Sequence, residues 1–116
     1  MNEREQQLES LELSIEEQRV KINRMQALAR LEKNEDFKKI FDEGFLRDHA
    51  VRQVMLKSHP SMITDEGMQK VLDNQIAGCG ALKQFLIAIY QEGRNAEIAL
   101  AEDQATMEEI HAEDLG

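Results

Sequence analysis

The sequence predicts an all-α fold, in which two long coiled-coil-like helices form an antiparallel hairpin and two short helices lie between them. The composition supports helices, because 32% of the 116 residues are charged, 41% are hydrophobic, and there is one Pro and no Trp. No segment shows the alternation of β-branched and aromatic residues that is typical of strands. Apolar residues instead recur at three- and four-residue steps near both ends of the chain. The length indicates a single helical domain, which we place at residues 1–116.

Residues 1–33 form the predicted N-terminal coiled-coil arm, a single helix with a heptad seam. The seam side chains that we expect to make helix–helix contacts are Leu8, Leu11, Ile15, Ile22 and Met25. Gln18 is a polar residue at a seam position, and it either fixes register and oligomeric state or turns out to solvent. The residues Leu13, Val20, Leu28 and Leu31 lie off the seam and widen it, as in a helix with more than one neighbour.

Residues 34–64 are predicted to hold two short helices and a loop. Asn34 is a favourable N-cap for the first helix, and Gly44 is a natural residue to end it, with Phe45 closing a Schellman motif. The second helix is expected from Leu46 to Ser58, because the residue before Pro60 avoids the α region. Its predicted buried side consists of Ala50, Val51, Val54 and Met55.

Residues 65–113 form the predicted long C-terminal helix, with Thr64 as its N-cap. Gly78, Cys79 and Gly80 lie inside it. Two glycines within a helix cost roughly 1 kcal/mol each relative to alanine, so we expect close packing to offset that cost. The strip without bulky side chains, Ala77, Gly78, Gly80 and Ala81, is therefore predicted to be a notch against which another helix packs. The alternative is a reactive loop around the thiol.

The two long arms have two possible partners. In an antiparallel hairpin, bases such as Arg4, Arg19 and Arg24 in the first arm would face acids such as Glu102 and Glu109 in the last. Exposed pairs of this kind contribute only a few tenths of a kcal/mol each, so they would select orientation more than they would set stability. The alternative is that each arm associates with its counterpart in a homo-oligomer.

The formal charge of −9 is unevenly distributed, because residues 95–116 carry seven acids and no base. This tail is either a solvated helix face or a surface for a basic partner. Bases do cluster in the short helices, at Lys38, Lys39, Arg47, Arg52 and Lys57. Four acids are interleaved with them, so the sequence argues against nucleic-acid binding.

The sequence contains few candidate catalytic or metal-binding residues. His49, His59 and His111 are far apart, and none belongs to an HExxH motif or has a Cys partner at zinc spacing. The sequence contains no P-loop, GxGxxG or GxSxG motif, and Cys79 lies on an apolar face, where a thiolate is disfavoured. We therefore expect no enzyme activity, no cofactor, no metal and no small-molecule substrate.

Location is predicted from what the sequence lacks. A single cysteine indicates a reducing compartment, the first ten residues contain no apolar signal region, and the apolar run Phe85–Tyr90 is too short to span a bilayer. We expect a soluble protein in a virion or in a host cytoplasm.

Four stretches are similar to small helical proteins encoded in the structural gene clusters of tailed bacteriophages. They are RLEKNEDFK at Arg30–Lys38, GF at Gly44–Phe45, HAVR at His49–Arg52 and IAGCGAL at Ile76–Leu82. The resemblance covers residues 25–113. It implies virion structure or assembly as the context, and it assigns no role to any residue.

The leading functional hypothesis is a non-enzymatic structural or assembly protein of a phage virion. It would act by helix–helix contacts with itself or with a larger capsid, portal or tail protein. One alternative is a DNA-packaging adaptor or small nucleic-acid-binding regulator. Another is a scaffold or chaperone that is absent from the mature particle.

Overall fold

The computed structural model describes residues 2–115, and it confirms the all-α prediction, since none of these residues forms a strand. The elements are α1 (Glu3–Glu32), α2 (Glu35–Phe37), a π-helical segment (Lys38–His49), α3 (Ala50–Lys57) and α4 (Glu66–Leu115). They form two compact units. One, the helix pair, consists of residues 2–28 and 88–115. The other, the central unit, is Ala29–Ile87.

The helix pair packs α1 against the C-terminal half of α4 in antiparallel orientation. Residue numbers rise along one helix as they fall along the other, since Ser14 contacts Asp103 and Met25 lies against Gly93. Its buried apolar side chains are Leu28, Ile89, Ala96 and Ile110. The predicted antiparallel packing of the two long helices is therefore confirmed within this unit.

The central unit begins with a helix start that the sequence predicts correctly. The side chain of Asn34 caps α2, because its Oδ1 accepts the backbone N–H groups of Asp36 and Phe37 at 2.9 and 3.0 Å. Two orphan donors of the first turn are thereby satisfied. The cap also places Phe37 in the core of the unit.

The predicted helix end at Gly44 is wrong. The chain remains helical from α2 through the π-helical segment into α3, and no glycine of the described residues has a positive φ, as a Schellman motif would require. Twelve π-helical residues are unusual, because i→i+5 bonding occurs mostly as single-turn bulges. Gly44 suits this geometry, since a Cβ there would lie 2.9 Å from the carbonyl oxygen of Lys39, five residues earlier.

The predicted buried side of α3 is also wrong. Val51, Val54 and Met55 are exposed, whereas Gln53 is buried. The physical reason is the π-helical segment before α3. Within α3 the 3.6-residue period still groups Val51, Val54 and Met55 on one face, but the wider turns before it rotate that face relative to the preceding helix, so it points away from the core of the unit.

Turns after α3 lead into α4, and the N-cap of α4 is Asp65 rather than Thr64. The Oδ1 atom of Asp65 accepts the Met68 N–H at 3.0 Å. The amide of Gln69 then donates to the carbonyl oxygens of Lys57 and Met62, at 3.0 and 2.9 Å. The start of α4 is thus tied to the end of α3 within the central unit.

No helix in the described part of the chain combines the length and the apolar character needed to cross a membrane.

Candidate interaction surfaces

The predicted seam of α1 lies inside the helix pair. Its members Leu8, Leu11, Ile15, Ile22 and Met25 are all partly buried. Of the off-seam residues, Leu13, Val20 and Leu31 are exposed, whereas Leu28 is buried. The heptad pattern therefore identifies part of the inward face of α1, Leu28 widens that face, and the residues that cover the seam belong to the same chain. A role for the seam in contacts between copies stays a prediction.

Gly93 is a close-packing notch in the helix pair. A Cβ atom built at this position would lie 2.5 Å from both Cβ and Sδ of Met25. Such separations do not occur between real side chains, so only glycine lets α1 approach α4 this closely. The sequence analysis did not identify Gly93 as a contact residue. Its position could have been found, because it lies one heptad after Leu86 and one heptad before Leu100.

Ser14 and Asp103 make a polar contact across the helix pair. The Ser14 hydroxyl donates to Oδ2 of Asp103 at 2.6 Å, and both residues are partly buried. Hydrogen bonds to a carboxylate are short and roughly twice as strong as neutral ones. This contact therefore selects one register of α1 on α4. Asp103 lies one heptad after the buried Ala96 and one heptad before the buried Ile110. A search for apolar residues at heptad spacing does not find it, because its side chain is charged.

Arg4 of α1 forms ion pairs with two acidic residues near the end of α4. The Arg4 guanidinium pairs with Glu113 at 3.2 Å and also with Asp114. The sequence analysis expected other acids of α4, such as Glu102 and Glu109, to face the bases of α1. The antiparallel orientation of the two helices is nevertheless the one that it predicted. All three side chains are exposed, so each pair contributes little to stability.

The predicted strip of small residues is open on the surface of the central unit. Ala77, Gly78, Gly80 and Ala81 are exposed, and within the described chain nothing lies within 4 Å of a Cβ built at either glycine. Cys79 between them is buried, and its Sγ contacts the Phe45 carbonyl oxygen at 3.7 Å. Packing of a helix from another molecule on this strip stays a prediction.

Exposed apolar side chains are concentrated in the central unit. Of the large apolar residues that are exposed among those described, ten belong to the central unit and four to the helix pair. The ten are Leu31, Ile40, Phe41, Val51, Val54, Met55, Ile63, Val71, Phe85 and Ile87. Where such side chains adjoin one another, the exposed apolar surface is typical of interaction sites.

Three of the nine basic residues of the central unit pair with carboxylates. Lys38 pairs with Glu35 at 3.3 Å, Lys57 pairs with Asp73, and Arg47 Nε donates to Asp48 at 3.0 Å. The hydrogen bond to Asp48, and the charge of that carboxylate, raise the pKa of Arg47 above its usual value. The guanidinium is thus a permanent cation that already has a partner, which weakens a phosphate-binding role.

His49 and His59 each contact a residue close to them in the sequence. His49 stacks on Phe45 with ring centroids 5.4 Å apart, and Nδ1 of His59 contacts the Ser61 hydroxyl at 2.7 Å. Among the described residues, no group of three or more His, Cys, Asp and Glu side chains is placed to hold a metal ion.

No protein family, curated protein or solved structure matches this chain.

Proposed function

We propose that the protein is a non-enzymatic structural or assembly component of a phage virion, and that it acts through helix–helix contacts. Its partners would be further copies of itself or a larger capsid, portal or tail protein. It would reside in the particle, or in the host cytoplasm during assembly. The observation that carries this proposal is the concentration of exposed apolar side chains in the central unit.

The physical argument rests on solvation. Fully burying an exposed large apolar side chain contributes about 1.5–3 kcal/mol, and these ten side chains are 38–67% exposed, so each would gain part of that free energy on being covered. A chain of 116 residues that leaves ten such side chains exposed in one unit gains most by covering them with a partner. The resemblance of residues 25–113 to small helical phage proteins supports a virion as the setting.

Two alternatives share this architecture. A scaffold or chaperone would use the same exposed surface and then leave the mature particle. A DNA-packaging adaptor would instead need a net basic surface, and the equal numbers of acids and bases in the central unit, nine of each, disfavour it.

Mass spectrometry of purified particles from a phage that encodes this chain tests the proposal. We expect peptides of the protein in the particle at a constant ratio to the capsid protein. Absence from the particle, combined with malformed particles when the gene is deleted, would instead identify a scaffold. Normal particles without the gene would rule out both roles. A gel shift with duplex DNA near 50 mM salt, where electrostatic binding is strong, tests the adaptor.

A further inference from the structure

A groove runs along the exposed side of α4 near its C-terminal end, within the helix pair. It has a volume of about 560 Å³ and is lined by Gln104, Met107, Glu108, His111, Ala112 and Leu115. These side chains form two neighbouring rows at four-residue spacing, and the valley between two such rows receives a row of side chains from another helix. This α4 groove follows the helix for about three turns, or about 16 Å.

The apolar side chains of the α4 groove are open to solvent. Ala112 is exposed, Met107 is half-buried, and Leu115 is 91% exposed, the largest fraction for a large apolar residue among those described. A partner helix with an apolar face would remove these side chains from water.

Two smaller depressions adjoin the α4 groove. One, of about 500 Å³, shares Met107 with it and is otherwise lined by side chains of α1, namely Glu12, Ile15, Glu16 and Arg19. The row of the groove that contains Met107 therefore lies on the side of α1, and the row that contains Glu108 lies on the other side. The second depression, of about 230 Å³, shares His111 and Leu115 and adds Asp114.

The lining of the groove and its two adjoining depressions carries an excess of unpaired acids. Glu12, Glu16 and Glu108 are exposed and belong to no ion pair in the described part of the chain, whereas Asp114 pairs with Arg4. With histidine counted as neutral, Arg19 is the one unpaired cation in this lining. The surrounding helix pair has the same sign of charge, with fourteen acids and five bases. This surface therefore attracts cations and repels nucleic acid, anionic membranes and the same face of another copy.

We propose that the α4 groove docks a basic amphipathic helix of another protein. The apolar face of that helix would cover Met107, Ala112 and Leu115. Its Lys and Arg side chains would meet Glu108 on one flank and the two acids of α1 on the other. The proposal goes beyond the proposed function, because it assigns a second surface and the chemistry of its partner.

A second copy of this chain fits the groove less well. Its net basic helix is α3, where Lys57 already pairs with Asp73. That leaves Arg52 as the one unpaired cation of α3, against three unpaired acids at the groove.

Binding of a synthetic peptide to the full chain tests the proposal. The probe is a dilute, fluorescently labelled helix of about 18 residues, long enough for the three turns of the groove, with Leu on one face and Lys elsewhere. Anisotropy should show saturable binding of one peptide per chain that weakens as NaCl is added. A peptide with Ser in place of Leu should bind roughly tenfold more weakly or worse, and one with Glu in place of Lys should not bind. No binding of the Leu/Lys peptide, or equal binding of the Ser/Lys peptide, would overturn the proposal.

Charge reversal locates the contact on the chain. Glu108→Lys should weaken binding of the Leu/Lys peptide about fivefold, because an attraction at the rim is replaced by a repulsion. Glu109→Lys is the matched control, since Glu109 is the next residue of α4, is equally classed as exposed, and does not line the groove. It should leave the affinity unchanged, and circular dichroism should show the same helicity in both variants. Equal weakening by both would mean that only net charge matters, and would contradict docking at the groove.

Removal of an apolar side chain tests the other half of the contact. Leu115→Ser should weaken binding roughly tenfold. Leu13→Ser makes the same change at a residue of the helix pair that is 57% exposed and outside the lining, and it should have no effect. Equal affinities of the two variants would contradict the proposal.

Light scattering of the wild-type chain tests the competing occupant. Self-association that Glu108→Lys abolishes would identify a second copy in the groove and overturn the proposal. Particle mass spectrometry tests the virion role separately, so either conclusion can fail without the other.

Discussion

At Gly93 the backbone of α4 lies directly against the side chain of Met25. Gly93→Ala should lower the stability of the helix pair by about 1–3 kcal/mol, the usual cost of overpacking. The added Cβ would meet Met25 Cβ and Sδ at 2.5 Å, and the Met25 Cβ cannot move away without the backbone. Urea denaturation followed by circular dichroism measures the change.

Gly80→Ala is the matched control for that substitution, because a Cβ at Gly80 meets nothing within 4 Å in the described chain. It should stabilise α4 slightly, since alanine is favoured over glycine in a helix by up to about 1 kcal/mol. Equal effects of the two substitutions would show that Gly93 is not a packing notch.

Among the elements, the π-helical segment contains one glycine, Gly44, at which a side chain would meet the backbone closely. Gly44→Ala would normally favour a helix by about 1 kcal/mol. Here the Cβ would lie 2.9 Å from the Lys39 carbonyl oxygen, a backbone atom that cannot move alone. We therefore expect net destabilisation of about 1 kcal/mol or more, with faster amide hydrogen exchange in Lys38–His49.

Gly78→Ala provides the comparison for Gly44→Ala, since it adds the same methyl group where no atom lies within 4 Å. It should leave exchange in the π-helical segment at the wild-type rate. Unchanged or slower exchange in Gly44→Ala would mean that the segment accommodates a side chain, and that glycine is not required there.

For the whole molecule, net charge should set the response to salt. The helix pair holds fourteen acids and five bases, so like-charge repulsion outweighs its few exposed ion pairs. The melting temperature should therefore rise by a few degrees between about 0.02 and 0.5 M NaCl, as screening weakens that repulsion. Thermal scans by circular dichroism measure it.

A double variant with Glu108→Gln and Glu109→Gln is the control for the salt response. Both residues are exposed on α4, and their replacement removes two charges with little change in shape. The variant should melt higher at low salt and respond less to added NaCl. A wild-type melting temperature that falls with salt would mean that ion pairs such as Arg4–Glu113 dominate instead.

Local signals in the sequence determined the helical class, the capping of α2 by Asn34 and the inward face of α1 at Ile15 and Ile22. These follow from composition, cap chemistry and heptad spacing, which act over a few residues. Periodicity identifies an apolar face, but it does not identify what covers that face. The tertiary structure decided that α4 of the same chain covers this seam, with Gly93 as the point of close approach.

The tertiary structure also decided which side of α3 is buried, and there the sequence pattern predicted the opposite. Val51 and Met55 look like core residues on a 3.6-residue period, yet the π-helical segment shifts the phase and leaves them exposed. Hydrogen-bond register within a helix depends on the packing around it as well as on its own residues. For that reason the exposed side of α3 follows from the folded chain and not from the sequence pattern alone.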